Sequence, residues 1–345
     1  MGSLNSELRV RDIGEQQLLE RLHRYCPAQI IGDDAAVLPT HPDRLLVVTT
    51  DMLVDGVHFS VGSATPKIYT TSPTDVGWRA AAANLSDLAA MGATPLGITV
   101  ALGLPPATPV RWIEELYEGM TDCLNRYQTP ILGGDLCRSP VLTVSITALG
   151  EVLPERQILR SLAQVGDVIV VTGVHGASRA GLELLLNPAW GKDLSPEAHN
   201  ELKRSHQRPI PRLDVPPLIW RIDPSARVAG MDSSDGLADA VLQICRASGV
   251  GARLRHDRLP IPPVLEQTQF LSETELLNWA LYGGEDFELV LCLPSAIAEA
   301  LVAQVGGGAA IVGQIISERS VFLEDTQGQR IDPPLSLDRG FQHFG

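Results

Sequence analysis

The chain has 345 residues, which suggests two domains, and 44% of them are hydrophobic, enough for sizeable cores. Lys and Arg number 27 against 41 Asp and Glu, and the net charge of −14 argues against nucleic-acid or anionic-membrane binding as the main role. Five cysteines, an odd number with no Cys-x-x-Cys spacing, predict a reduced cytoplasmic protein and no disulfide or zinc framework. No signal peptide is evident at the N-terminus, and no apolar run approaches the roughly 18 residues of a membrane span.

In chain order, Leu18, Leu19, Leu22 and Tyr25 predict a short amphipathic helix over 14–25. An acidic turn follows at Gly32-Asp33-Asp34, between apolar runs. The run Leu45 to Thr50 predicts a strand ending in Thr49-Thr50-Asp51, whose hydroxyl and carboxylate oxygens suit a hard cation. Helical spacing from Thr74 to Met91, stopped by Gly92 and Pro95, puts Asn84 and Asp87 on one face. Asp87 is flanked by apolar and small residues, so burying it requires a partner or a metal.

A strand at 96–104 and a helix over 110–127 come next, then a short strand leading into a Gly133-Gly134-Asp135 turn. Residues 141–149 alternate as a half-exposed strand. The chain is expected to divide near residue 150, into domains 1–150 and 151–345. In the second half, Pro209, Pro211, Pro216 and Pro217 interrupt the pattern. A strand-like run at 226–230 then enters Asp232-Ser233-Ser234-Asp235-Gly236, and a helix-like run leaves it. This stretch predicts carboxylates and hydroxyls at a helix start, where free N–H groups favour anions. Carboxylates at an anion site make sense when metal ions lie between them and the anion. Gly283-Gly284-Glu285-Asp286 precedes a strand from Leu289; a helix over 295–305 and strands at 311–316 and 320–323 follow.

The familiar phosphate signatures are missing. The single Gly-Lys pair, Gly191-Lys192, is followed by Asp193 where a P-loop needs Ser or Thr, and there is no Gly-x-Gly-x-x-Gly or His-Arg-Asp motif. What remains is oxygen chemistry: aspartates beside glycines, strand ends and helix termini. One Gly-Asp or Asp-Gly pair is ordinary turn chemistry, but five such motifs together fit several magnesium ions bridging a polyphosphate.

The ordered set Gly32-Asp33-Asp34-Ala35, Thr49-Thr50-Asp51, Gly56-Val57-His58-Phe59, Asn84-Leu85-Ser86-Asp87, Gly133-Gly134-Asp135, Ser234-Asp235-Gly236 and Gly283-Gly284-Glu285-Asp286 resembles the thiamine-monophosphate kinases. These belong with aminoimidazole ribonucleotide synthetase. The resemblance spans nearly the whole chain and implies an α/β (α+β) two-domain fold, an N-terminal mixed sheet with helices plus a C-terminal α/β domain. It further implies a homodimer joined through the N-terminal sheets and an active site in a cleft between domains. The implied reaction is in-line phosphorylation of thiamine monophosphate by ATP, aligned by several Mg2+ ions, the last step of thiamine diphosphate biosynthesis.

By the same resemblance, metal ligands fall on Asp34, Thr49, Thr50, Asp51, Asp87, Asp135, Asp232 and Asp235. ATP contacts fall on Gly134, Asp135, Arg160 and Ser234, and substrate contacts on His58, Glu285 and Phe341. No general base is implied, because the acceptor phosphate is already ionised. Ser233 then reads as a spacer. Two departures stand out: 161–167 lacks the glycine and proline expected after Arg160, and Tyr282 occupies a position where serine is expected.

Two alternatives remain open. Another ATP-using enzyme of the superfamily would want a reactive cysteine, but Cys26 has no glycine-rich context and the sequence ends in Phe344-Gly345. A non-catalytic nucleotide- or metal-binding regulator on the same fold would have lost ligands, and none is evidently lost.

Overall fold

The computed structural model describes residues 8–27, 38–62, 68–268 and 271–340. Among these the chain forms two compact units. The first comprises residues up to Pro42, Val48–Asn84 and Pro95–Glu151; the second comprises Asp43–Val47, Leu85–Thr94 and Val152 onward.

The first unit holds α1 (Val10–Leu22), β1 (Leu45–Val54), α2 (Pro73–Ala90), β2 (Thr94–Leu104), α3 (Val110–Asn125), β3 (Ile131–Arg138) and β4 (Thr143–Val152), with the ends of β1, α2 and β2 shared out as above. Its described strands form one sheet in the order β1-β4-β2-β3. On α3, Ile113, Leu116, Tyr117, Met120 and Leu124 are buried, the face that the i, i+3, i+4 spacing foretells. Each such side chain contributes about 1.5–3 kcal/mol by leaving water.

Two expectations need correction here. The strand carrying Thr49-Thr50-Asp51 does not stop at Asp51 but runs on to Val54. Gly133-Gly134-Asp135 is not a turn: it lies within β3, paired in parallel register with Thr99, Val100 and Ala101 of β2. The glycine is there for close approach, since a Cβ on Gly134 would stand 1.9 Å from the Val100 carbonyl oxygen.

The second unit contains β5 (Val168–Val171), α4 (Ala177–Leu186), α5 (Pro196–Gln207), α6 (Val215–Ile222), β6 (Ala229–Asp232), α7 (Leu237–Ser248), β7 (Gly251–Arg255), α8 (Pro263–Glu266), α9 (Glu273–Tyr282), β8 (Leu289–Leu293), α10 (Ser295–Val305), β9 (Ala310–Ile316), β10 (Val321–Glu324) and β11 (Arg330–Ile331). The strand order is β11-β10-β7-β9-β5-β8-β6, a mixed sheet in which β7 and β10 run parallel. One face buries Leu237, Val241 and Ile244 of α7 against Ile169, Val171 and Val290. A second core packs Ile219 and Trp220 of α6 and Leu301 of α10 against Val170, Leu289 and Leu291, and takes in Ala89 and Ala90 from the end of α2.

The prolines at 216 and 217 do not break this half. They occupy the first turn of α6, where a helix has no use for the missing N–H.

Candidate functional site

Asp232 is the last residue of β6, so the strand that leads into the motif reaches two residues further than the expected 226–230. Residues 233–236 turn the chain, and α7 begins at Leu237. Asp232 is only 3% exposed. Its two carboxylate oxygens take separate donors: the Ser86 hydroxyl gives to Oδ2 at 2.7 Å, and the Ser234 hydroxyl gives to Oδ1 at 3.0 Å. Burial, then the negative charge of Asp87, push the Asp232 carboxyl up to about 6, although both hydroxyls pull it down; Asp235 adds a smaller push.

Thus Asp87, Asp232 and Asp235 form one electrostatically coupled set, with Ser86 and Ser234 as hydroxyl neighbours. Burying the Asp232 carboxylate beside two like charges is costly without a cation. All the donors are hard oxygens, the type magnesium prefers. Among the described residues no three His, Cys, Asp or Glu side chains close into a ready-made metal cage. An open donor set suits magnesium, which usually keeps water and substrate phosphates as ligands.

Ser233 is more than a spacer. It is fully buried, its N–H donates to the Glu288 carbonyl at 2.8 Å, and its hydroxyl lies 3.1 Å from His175 Nε2. His175 Nδ1 faces the Gly173 carbonyl at 3.1 Å and so must carry the proton there. Burial holds this ring down to about 4, so it is neutral, and Nε2 accepts from Ser233. The backbone between Asp232 and Ser234 is therefore fixed from beneath by a buried pair.

The Gly-Gly-Glu-Asp segment joins the same turn, for the Glu285 N–H donates to the Ser234 carbonyl at 2.7 Å. Glu285 and Phe287 both have positive φ, 59° and 53°, unusual for such side chains. Asp286 between them accepts from the N–H groups of Gly176 (2.7 Å) and Ser178 (2.8 Å), so it caps α4 from a distant part of the chain. Burial nevertheless pushes its carboxyl up to about 7. Arg160 Nη1 donates to Gln243 of α7 at 2.8 Å. The altered loop after Arg160 is closed by Ser248, whose hydroxyl receives the Ala163 N–H, and by Asp167, which receives that of Gln164.

The other described residues expected to be metal ligands lie in the first unit. Asn84, fully buried, donates to the Ala80 carbonyl and accepts the Asp51 N–H at 3.2 Å, tying α2 to β1. The Thr50 hydroxyl donates to the Ile146 carbonyl at 2.8 Å. His58 Nδ1 accepts the Val54 N–H at 3.1 Å, which leaves Nε2 as the donor in the neutral ring. Thr49, Thr50 and Asp51 ride on β1, and Gly134 and Asp135 on β3, at opposite edges of the sheet with β4 and β2 between them. Asp34 and Phe341 lie outside the described residues.

Sequence reasoning overlooked Ser86 and His175 as neighbours of these residues. Ser86 had a signal, since it immediately precedes Asp87 in the Asn-Leu-Ser-Asp motif. His175 had none, because its partner Ser233 is distant in sequence.

The family model for the AIR synthase related protein N-terminal domain matches residues 32–152, and that for the C-terminal domain matches residues 164–326. A thiamine-monophosphate kinase from Synechococcus elongatus is 51% identical over 342 residues, covering 98% of this chain and 99% of the relative. The solved thiamine-monophosphate kinase from Stenotrophomonas maltophilia K279a superposes with a TM-score of 0.76 at 33% identity, over 91% of this chain and 96% of that one. The structure of AaThiL complexed with AMPPCP and TMP superposes with a TM-score of 0.71 at 28% identity, over 96% of this chain and 99% of that one.

Proposed function

The chain belongs to the thiamine-monophosphate kinase family, and we propose that it transfers the γ-phosphoryl group of ATP to thiamine monophosphate, giving thiamine diphosphate and ADP. The observation that carries this reading is 51% identity to a thiamine-monophosphate kinase across both chains. The bound AMPPCP and TMP of AaThiL support ATP and thiamine monophosphate as the two ligands.

The residues proposed to hold magnesium are Asp34, Thr49, Thr50, Asp51, Asp87, Asp135, Asp232 and Asp235. Magnesium, when bound, supplies charge neutralisation between two phosphate anions whose repulsion is the main obstacle to transfer. The acidic set of Asp87, Asp232 and Asp235 supports this role, because Asp232 is buried and is pushed up by the like charges of the other two. Ser86 and the His175–Ser233 pair hold Asp232 and its turn in place, so that little reorganisation is left for the reaction itself. The acceptor oxygen is ionised at neutral pH and needs no general base.

Gly134, Asp135, Arg160 and Ser234 are proposed to contact the nucleotide, and His58, Glu285 and Phe341 the acceptor. Glu285 suits the cationic and amino-bearing end of thiamine, and the imidazole of His58 suits its phosphate. We also propose a cytoplasmic homodimer. Leu46, Val48 and Met52 alternate along β1 and are 56–58% exposed, an apolar stripe that a second copy would cover. Among the described residues no helix is long and apolar enough to cross a membrane.

The test is ADP release with Mg2+ and a panel of acceptors. Turnover confined to thiamine monophosphate is expected; equal turnover with unrelated phosphate esters would overturn the reading.

A further inference from the structure

Strand β7 alternates. Ala252 and Leu254 are buried in the core that takes α7, so Arg253 and Arg255 stand on the other face of the sheet. The register shows which face that is. Arg253 lies opposite Gln314, and Gln314 opposite Val168, which packs with Ile311 against the core of α6 and α10. Beyond that apolar margin the face turns polar. A cavity of about 390 Å³ opens there, walled by Val168 and Ile311, by Arg253, Arg255 and Arg258, and by Glu324 of β10.

Two of the three arginines are anchored. Nη2 of Arg253 donates to Oε1 of Gln314 at 2.8 Å, and its Nη1 is 3.6 Å from Oε1 of Glu324. Nε and Nη2 of Arg255 donate to the two oxygens of Asp257 at 2.9 and 3.0 Å. A guanidinium carries more N–H donors than these pairings use, so each fork is fixed without being exhausted. Arg258 is exposed and, among the described residues, has no hydrogen bond or ion pair. In a chain with 27 basic and 41 acidic side chains, a cavity lined by three arginines and one glutamate reverses the general sign. Its volume falls in the range of small-molecule pockets, about 300–1,000 Å³.

We propose that this cavity binds a small phosphate-bearing anion, a diphosphate or a phosphate ester, through Arg253, Arg255 and Arg258. Planar guanidinium forks match the paired oxygens of a phosphate, and anchoring by Gln314 and Asp257 lowers the cost of ordering them on binding. The cavity is separate from the acidic turn at the end of β6. Strands β9, β5 and β8 lie between β7 and β6, which at the usual strand spacing of about 4.8 Å puts the two about 19 Å apart. The two sites also differ in kind. The carboxylate set needs a cation before it can face an anion, whereas the arginine cavity needs none.

The test is calorimetric titration of the metal-free protein with inorganic pyrophosphate, in EDTA at low salt, where the carboxylate set repels the probe. One saturable binding event is expected in the parent. Arg253→Gln and Arg258→Gln are each expected to weaken it about tenfold, as loss of a charged hydrogen bond does, and the double variant to abolish it. With Mg2+ present, kcat and the KM values for ATP and thiamine monophosphate should stay at parent levels in all three, since none of these residues belongs to the proposed catalytic set. No saturable metal-free binding in the parent, parent-like binding in the double variant, or equal weakening in Arg246→Gln, an exposed arginine of α7, would each overturn the proposal. Titration with ADP and with thiamine diphosphate under the same conditions distinguishes the source of the phosphate: a nucleotide, a thiamine phosphate or, where pyrophosphate binds tightest, a free diphosphate.

Discussion

The Ser86 hydroxyl donates to Oδ2 of Asp232 at 2.7 Å, and both side chains are buried. One residue is on a helix and the other ends a strand, 146 positions later. This bond, with the one from Ser234, holds a carboxylate where solvent cannot, next to the like charges of Asp87 and Asp235. Removing the donor leaves the charge in place and less supported. Ser86→Ala is expected to weaken apparent Mg2+ affinity by about 10-fold or more, as loss of an orienting partner does. Titration of Mg2+ against thermal midpoint, without nucleotide, checks this apart from turnover.

Asp87→Asn and Asp235→Asn each remove a charge but keep the shape. Both are expected to lower kcat by at least about 100-fold, the scale of losing one electrostatic contribution to a charged transition state. Circular dichroism and the urea midpoint should remain close to those of the parent. Parent-like turnover in either variant would sink the metal assignment.

The acidic core carries a pH signature. Asp232 and Asp286 have folded values pushed up from 3.8 to about 6 and about 7. A group whose folded pKa lies above its unfolded one binds its proton more tightly when folded. Its contribution to stability is complete below about pH 4 and is lost as pH rises through 6 to 7. Asp232→Asn and Asp286→Asn should therefore flatten that fall and raise the metal-free thermal midpoint at pH 7.5 relative to pH 5, by an amount equivalent to at most a few kcal/mol. Mg2+ should produce the same flattening through Asp232 in the parent protein. Thermal midpoints of parent and variants at both pH values, with and without Mg2+, check the sign. A steeper fall in the variants would contradict it.

Gly134→Ala is a test of backbone approach. Its new Cβ would stand 1.9 Å from the Val100 carbonyl oxygen, so β3 must move away from β2 or twist. A loss of about 1–3 kcal/mol is expected from such overpacking, with displacement of the neighbouring Asp135. The urea midpoint reports the first effect and KM for ATP the second.

Much of this protein is legible in one dimension. Helical periodicity marks α3 because it buries one stripe, and the short Asp- and Gly-rich motifs identify the family because their chemistry is local. Two readings went astray for the same reason. Gly133-Gly134-Asp135 looks like a turn, since glycine and aspartate favour turns, yet a neighbouring strand uses Gly134 for contact. Pro216-Pro217 looks like a break, yet it starts α6.

The sequence by itself determined the residue types: hard oxygen donors, an acidic total, and motifs in the order shared with thiamine-monophosphate kinases. Only the tertiary structure decided which of them meet. Asp232 is drawn to Ser86 and into the field of Asp87, His175 turns a supposed spacer into an anchor, and Asp51 and Asp135 part to opposite edges of one sheet. Hydrogen bonds and charge coupling act over a few ångströms in space, whatever the separation along the chain. A motif therefore shows what a residue offers, and packing decides what it is offered to.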